Sequence, residues 1–343
     1  MDHTVKYECY YPYSFLVSIS SQIVFLLAFK VASWNVAGLR ALVKKQPDAL
    51  KNLVKEYDLD MLCLQETKLQ EVHIDDPKLK FRGLLEGEGY KDYWSCSTEK
   101  KGYSGTAVFL RQRGEQKAKQ TSIGSFFAPK TGAKKKEEKK KNTELPISQE
   151  QLTATNVSYD IGKTIDNEGR TVVVEFPWAT LTNVYVPNSG QDLKRLDYRV
   201  NEWDKDFLAF QQKKQTDRGL PVIWLGDLNI AHKAFDVWNN GAKHLDKQAG
   251  VTPLERASFQ EQLDSGFVDA FRELHNTAKG HYSYWSQRAG NREPNKGLRL
   301  DYFICSPELF QEDSKVIVRD SYMIKECVGS DHCPVVLELE LRK

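Results

Sequence analysis

The stretch PVIWLGDLN, residues 221–229, is an apolar, β-rich run that stops abruptly on Asp227 and Asn229. The same form recurs three times. SWNVAGLR (33–40) carries Asn35, LQETK (64–68) carries Glu66, and GSDH (329–332) carries Asp331 and His332. Strand ends along one edge of a sheet are where a fold brings distant residues to a shared site. Oxygen donors of this kind suit magnesium better than zinc. These four segments together read as a metal-dependent, phosphoester-cleaving site.

Outward from that stretch, strand and helix signals alternate. Strands are predicted at Val31–Val36, Leu59–Leu64, 105–111, 170–176, 179–187, 221–229, 283–286, 299–305 and 334–341. Helices are predicted around Ala49–Tyr57 and over 193–212. In the second, Leu193, Leu196, Val200, Trp203, Phe207 and Phe210 fall near one face. The mixture implies an α/β layered domain. At 343 residues the chain can bury a substantial core, and its 40% hydrophobic and 28% charged content is that of an ordinary globular protein. Six cysteines lie scattered without a CxxC pair, several inside strand-like runs. Buried reduced thiols are therefore expected, not zinc ligands or disulfides.

Charge is unevenly spread. Residues 114–145 hold nine lysines and four glutamates, net +5, so the +2 of the whole chain leaves −3 elsewhere. Any grip on nucleic acid must come from a local patch and not from global charge. Residues 114–157 are polar and lack periodicity, and a disordered, lysine-rich insert is expected there. Doubling the length of such a loop costs only about 0.6 kcal/mol. At the other end, Phe15–Phe29 is uncharged and mostly apolar. It is short for a membrane span, lacks the flanks of a leader, and runs without a linker into the first core strand. Residues 1–28 are therefore expected as an extension, and residues 29–343 as the catalytic domain.

Seven segments in this order, SWNVxGLRA, LQETK, GYSG (102–105), YVPN (185–188), GDLN, RLDYF (299–303) and GSDHCP, make the chain resemble the exonuclease III type of apurinic/apyrimidinic endonuclease. The resemblance runs from about Phe29 to the carboxyl end, broken by the insert. It implies two mixed β-sheets packed face to face with helices outside, a four-layer sandwich. It also implies Mg²⁺-dependent hydrolysis of double-stranded DNA 5′ to an abasic site, with Mn²⁺ as a substitute, by a monomer in the nucleus. A mitochondrial or membrane address through residues 1–29 is the alternative. A 3′–5′ exonuclease or 3′-phosphodiesterase activity, or another substrate on the same fold, stands beside the main reading.

Matched to the motifs, the catalytic set is Tyr185, Asp227, Asn229, Asp301 and His332, and the metal set is Asn35, Glu66, Asp227, Asn229, Asp331 and His332. Asp227 orients and deprotonates the attacking water. His332, held protonated by Asp301, meets the phosphate. Tyr185 serves as phenol or phenolate. Asn188 with Tyr284, Trp285, Leu298 and Leu300 forms the substrate pocket, Leu298 standing where vertebrate-type enzymes have tryptophan. Arg40, Lys68, Lys101, Arg195 and Arg288 are candidate phosphate contacts. One departure stands out: beside Asn35 the family carries Asp or Asn, and here the residue is Ala37. Altered metal affinity with retained activity is expected, a weakened clamp-binding adaptor being the other reading.

Within the insert, QTSIGSFF (120–127) resembles the peptide that docks on the PCNA sliding clamp. Ile123, Phe126 and Phe127 would form a three-pronged apolar plug beside Gln120. The following KKKEEKKK (134–141) reads equally as an import signal, a DNA tether or a solvated linker.

Overall fold

A computed structural model of the chain describes residues 27–112, 152–159, 161 and 167–342. Two six-stranded sheets dominate it. The first contains β1 (Leu27–Asn35), β2 (Met61–Gln65), β3 (Tyr90–Ser95), β4 (Thr106–Arg111), β11 (Val316–Met323) and β12 (Val335–Leu341), in the order β11-β12-β1-β2-β4-β3. The second contains β5 (Asn156–Ser158), β6 (Thr171–Glu175), β7 (Thr180–Tyr185), β8 (Val222–Asp227), β9 (Val268–Asp269) and β10 (Asp301–Cys305), in the order β5-β6-β7-β8-β10-β9. Both sheets are mixed: β1 runs parallel to β2, β7 runs parallel to β8, and the remaining pairs are antiparallel.

Strands β2, β7, β8 and β10 are buried on both faces, which explains why their sequences are continuous apolar runs more than alternations. Along β1, Phe29 and Val31 face the second sheet, while Ala32 and Trp34 face outward onto α1 (Leu39–Lys45) and α2 (Ala49–Glu56). Along β8, Ile223 and Leu225 face inward. Val222 and Trp224 pack outward with Phe207 of α4 (Asp204–Arg218) and Phe259 of α5 (Pro253–Asp264). The result is the expected four layers, helix, sheet, sheet, helix. Helix α5 starts where its sequence says it should. Thr252 accepts from the Glu255 amide and Glu255 accepts from the Thr252 amide, a reciprocal cap ahead of Pro253.

Three expectations need correction. Residues 283–286 are not a strand; Tyr284 makes only isolated bridges, because its neighbours Leu298 and His332 belong to loops. The predicted helix over 193–212 is a six-residue π-helical segment, Tyr198–Trp203, followed by α4, which continues to a left-handed Gly219. The irregular insert does not extend to residue 157. Leu152 is buried in the central core, and Asn156–Ser158 pair with β6. The rest of the insert, with Gln120, Ile123, Phe126 and Phe127, lies outside the described residues, as does most of the expected extension. Of that extension, Leu27 and Ala28 belong to β1. Among the described residues no helix is long and apolar enough to cross a membrane.

A buried ionic cluster fixes the loops beside the sheet ends. The Arg299 guanidinium donates to both carboxylate oxygens of Asp236 (2.8 and 3.0 Å) and of Asp269 (3.1 and 2.6 Å), and Arg272 also donates to Asp236. Burial opposes the charge on Asp236, but Arg299 and Arg272 outweigh it and hold its carboxyl at about 2, below the usual 3.8. The stabilisation from that shift, about 2 kcal/mol, is complete above pH 4 and is lost as pH falls through 2. Urea unfolding of the wild type and Asp236→Asn should therefore show a stability gap that narrows between pH 5 and pH 2.5. A gap that stays constant would contradict the assignment.

Candidate functional site

The strands deliver their polar termini to one end of the sandwich. Asn35 ends β1 beside Gln65 of β2, and Glu66 follows it. Tyr185 ends β7 in register with Asp227 at the end of β8, and Asp227 is also in register with Asp301 at the start of β10. At the β8 crossing a side chain is impossible. A Cβ on Gly226 would lie 1.9 Å from the Val184 carbonyl oxygen, so glycine alone lets β8 press against β7 immediately before Asp227.

At the site, one amide joins the two sheets. Asn35 Nδ2 donates to Glu66 Oε1 at 3.0 Å in its own sheet and to Asp227 Oδ2 at 2.8 Å in the other. Asn35 Oδ1 accepts the Ala37 amide at 2.9 Å. Asn35 is thus a brace for two carboxylates. Ligation would need the amide turned over, at the loss of the Ala37 bond. Below this contact a second clasp crosses the sheets. Asn183 donates to the carbonyls of Leu64 and Ala107 (3.1 and 3.0 Å) and accepts from Gln65.

His332 completes the centre. Its Nδ1 lies 2.7 Å from Asp301 Oδ2, and its Nε2 lies 3.8 Å from Asp227 Oδ2. Burial disfavours the imidazolium, but Asp301 and Asp227 outweigh burial and raise the His332 pKa, so the ring keeps its proton. In that form His332 is a hydrogen-bond donor, which fits the acid role. Burial raises the Asp227 carboxyl; the His332 charge works against this and Asp301 reinforces it. Glu66 moves the other way. Burial opposes its charge, yet Lys68, 2.8 Å from Oε2, and the Asn35 amide hold it ionised. Burial, then Glu66 and Asp227, raise Tyr185, a direction that favours the phenol.

A cation fits this donor set. Asp227, Asp301 and His332 bring ligand atoms within 4.8 Å of one another, all buried. The His332–Asp301 bond occupies two of those atoms, so Glu66 and Asp227 are the better-placed pair. Asp301 Oδ1 is buried with no hydrogen-bond partner among the described residues. Among the described residues, Lys68 and His332 are the cations paired with the carboxylates Glu66, Asp227 and Asp301, and half-buried Asp331 also acts on His332. Such a deficit of positive charge in a buried site is what a hard divalent ion relieves.

Asn229 is placed by its backbone and both side-chain atoms. Its N–H donates to Asp227 Oδ1 (2.9 Å), its Nδ2 to the Val186 carbonyl (2.8 Å), and its Oδ1 accepts from Asn188 (2.8 Å). It therefore positions Asn188 and Asp227, with little capacity left for a metal. Buried arginines, which the sequence did not single out, hold these loops. Arg199 donates to the carbonyls of Pro187 and Leu228 (2.9 and 2.8 Å) and pairs with Asp204. Arg170 donates to the Tyr185 carbonyl and to the Tyr103 hydroxyl, both at 2.8 Å, and lies under the Tyr185 ring. Arg195, expected as a phosphate contact, pairs with Glu168 and Tyr103, and Lys68 pairs with Glu66. Arg40, Lys101 and Arg288 are exposed.

The expected pocket divides in two. Tyr284, Leu298 and Leu300 share one apolar cluster with Val237 and Val251, and the Tyr284 ring packs 4.9 Å from His332. Trp285 does not join them. It is 2% exposed, clusters with Tyr282 and Cys333, and donates to Asn295 Oδ1, so it supports the pocket from behind.

A two-sheet sandwich with a buried carboxylate–histidine centre at one end defines a phosphoester hydrolase. The chain belongs to the endonuclease/exonuclease/phosphatase family, whose model matches residues 32–332, and it is a hydrolytic nuclease of that family. It is 37% identical to an exodeoxyribonuclease of Bacillus subtilis over 91% of this chain and 100% of that one. It is also 37% identical to the DNA repair nuclease APEX1 of Danio rerio, over 90% of this chain and 82% of the relative. The AP endonuclease LMAP of Leishmania major superposes with a TM-score of 0.72 at 30% identity, covering 92% of this chain and 88% of that structure.

Ala37, Glu66, Lys68 and Asn229 all adopt positive φ near 50°. Strained backbone of this kind persists where surrounding structure over-determines it. Ala37 contributes through its backbone: its N–H braces Asn35 and its carbonyl accepts from Lys68 at 3.4 Å. Ala37→Asn, better suited to a left-handed conformation, should raise stability by about 0.5 kcal/mol, and Ala37→Val should lower it by about 1–2 kcal/mol. Urea midpoints equal to wild type in both variants, or shifted in the opposite directions, would refute the strain assignment.

Proposed function

We propose that the chain is a Mg²⁺-dependent DNA-(apurinic or apyrimidinic site) endonuclease that hydrolyses the phosphodiester 5′ to an abasic sugar in base excision repair. The observation that carries this reading is the single Asn35 amide joining Glu66 and Asp227 beside the His332–Asp301 pair. The DNA-repair relatives, matched over 91% and 90% of this chain, support it.

Glu66 and Asp227, with Asp331 at the rim, would hold the ion, which supplies charge neutralisation at the phosphate when bound. Asp227 orients the attacking water and takes its proton; burial raises its proton affinity toward the range a general base needs. Asn229 fixes Asp227 and aims Asn188 at the phosphate. His332 donates from Nε2 to a phosphate oxygen as negative charge builds, and Asp301 keeps that proton in place. Tyr185 donates its phenol proton to the same group. Tyr284, Leu298 and Leu300 receive the base-free sugar, which is extruded at least cost where stacking is already lost. A 3′–5′ exonuclease or 3′-phosphodiesterase reaction uses the same groups on a strand end. The adaptor reading is less well supported, because the bracing at Ala37 is a backbone function that alanine performs.

The enzyme acts as a monomer in the nucleus, tethered to the PCNA clamp by Gln120, Ile123, Phe126 and Phe127. On a tetrahydrofuran-containing duplex, Asp227→Asn should lower incision by about 10²-fold or more, and EDTA should abolish it in the wild type. Metal-independent incision, or equal rates for the two proteins, would overturn the assignment. Replacing Phe126 and Phe127 together by Ala should abolish clamp pull-down while free duplexes are still incised; undiminished pull-down would remove the tether.

A further inference from the structure

Trp238 stands apart from every other tryptophan. All seven lie among the described residues; five are at least nine-tenths buried, Trp94 is half-buried, and Trp238 is 43% exposed. An exposed indole forfeits the burial that makes tryptophan favourable, so its position matters. Its neighbour Val237 packs inward in the cluster with Leu298, Leu300 and Tyr284, and the Trp238 amide donates to the Gly297 carbonyl at 3.1 Å. The exposed ring carries Lys296 Nζ 5.1 Å from its centroid. The two residues thus form one aromatic and cationic unit on the rim of the apolar pocket.

This unit has a defined distance to the catalytic centre. Val237 bridges Leu298, Leu298 bridges Tyr284, and Tyr284 bridges His332. Three steps at the usual spacing of about 4.8 Å put Val237, the residue before Trp238, about 14 Å from His332 when the bridges run in line. Along duplex DNA that spans about four stacked base pairs, at 3.4 Å each. The unit therefore lies within the footprint of a duplex whose scissile phosphate sits at His332, yet outside the pocket for the sugar.

The platform is also rigid. The Asp236–Arg299–Asp269 cluster anchors both chains that carry it, since Asp236 precedes Val237 and Arg299 follows Leu298. The Asn291–Gly297 turn is tied down on its other side. The Lys296 amide donates to the Asn291 carbonyl, Asn295 accepts from Trp285, and a Cβ on Gly297 would lie 2.6 Å from Tyr282. Rigid, exposed aromatics beside a cation are how proteins hold unstacked bases next to a phosphate without reading sequence.

We propose that Trp238 and Lys296 form a second DNA contact, with the indole stacking on a base about four positions from the scissile phosphate and the ammonium meeting the adjoining phosphate. The proposal rests on the abasic-site reading and specifies how that site selects damaged duplex. The test uses the full chain in EDTA with a tetrahydrofuran-containing duplex. Tryptophan emission of the wild type should fall on binding, and that fall should disappear in Trp238→Phe. Trp238→Ala should raise Kd about tenfold, whereas Trp238→Phe, which retains a stacking face, should stay within about threefold. Lys296→Ala should reduce the slope of log K against log salt by about one. Wild-type affinity in Trp238→Ala, or quenching that persists in Trp238→Phe, would overturn the platform. Incision of the same duplex with Mg²⁺ present separates the two ideas. A wild type that cuts but shows no Trp238 response refutes the platform alone, and one that neither binds nor cuts refutes both.

Discussion

One amide nitrogen holds the two halves of this molecule to a common purpose. Asn35 Nδ2 spans the gap between the sheets and binds a carboxylate of each. Two buried carboxylates repel each other strongly in a medium of low dielectric constant, and they stay together only if something between them carries positive charge. The amide supplies part of that, and Lys68 and the His332 imidazolium supply more. The surplus of negative charge that remains is the physical reason this site calls for a divalent ion.

That charge balance depends on loops held to within small tolerances, and the devices that hold them are buried arginines. Arg170 fixes the strand end bearing Tyr185, Arg199 fixes the loops bearing Asn188 and Asn229, and Arg299 fixes the pocket walls. Each guanidinium offers five donors in a planar fork, so one side chain can terminate two or three loops at once. Positive-φ residues at Glu66, Lys68 and Asn229 are the cost of bringing chain ends so close. Sites of this kind are strained locally and stable globally, because the four-layer core beneath them is continuous.

The sequence exposed the polar groups of the site clearly, since each belongs to a short, dense motif beside an apolar run. Asn35, Glu66, Asp227, Asp301 and His332 do converge, and the continuous apolar character of β1, β2 and β8 did signal strands covered on both faces. What stayed hidden were residues whose role depends on three-dimensional neighbours. Asn183 is an unremarkable polar residue in ATLTNVYVP, yet it clasps the two sheets. Arg199 lies in a helical pattern where a cation reads as solvent-facing, yet it is 1% exposed. Trp285, next to Tyr284, was assigned to the same pocket, but adjacent residues in extended chain point to opposite sides, and it went behind. Strand β5 is only three residues long and follows a polar stretch, too little signal for periodicity to register.

The division between Tyr284 and Trp285 also shows how recognition is built separately from chemistry. Asp227 and Asp301 sit at strand ends, whereas Tyr284, Leu298 and Val237 come from loops joined by single bridges. A pocket made this way can change its lining without disturbing the carboxylate–histidine centre. Its position is still fixed, because the backbone of Leu298 is held by Tyr284 on one side and Val237 on the other, with Arg299 beneath. Selectivity is then a property of which side chains the scaffold presents, and catalysis a property of the scaffold itself.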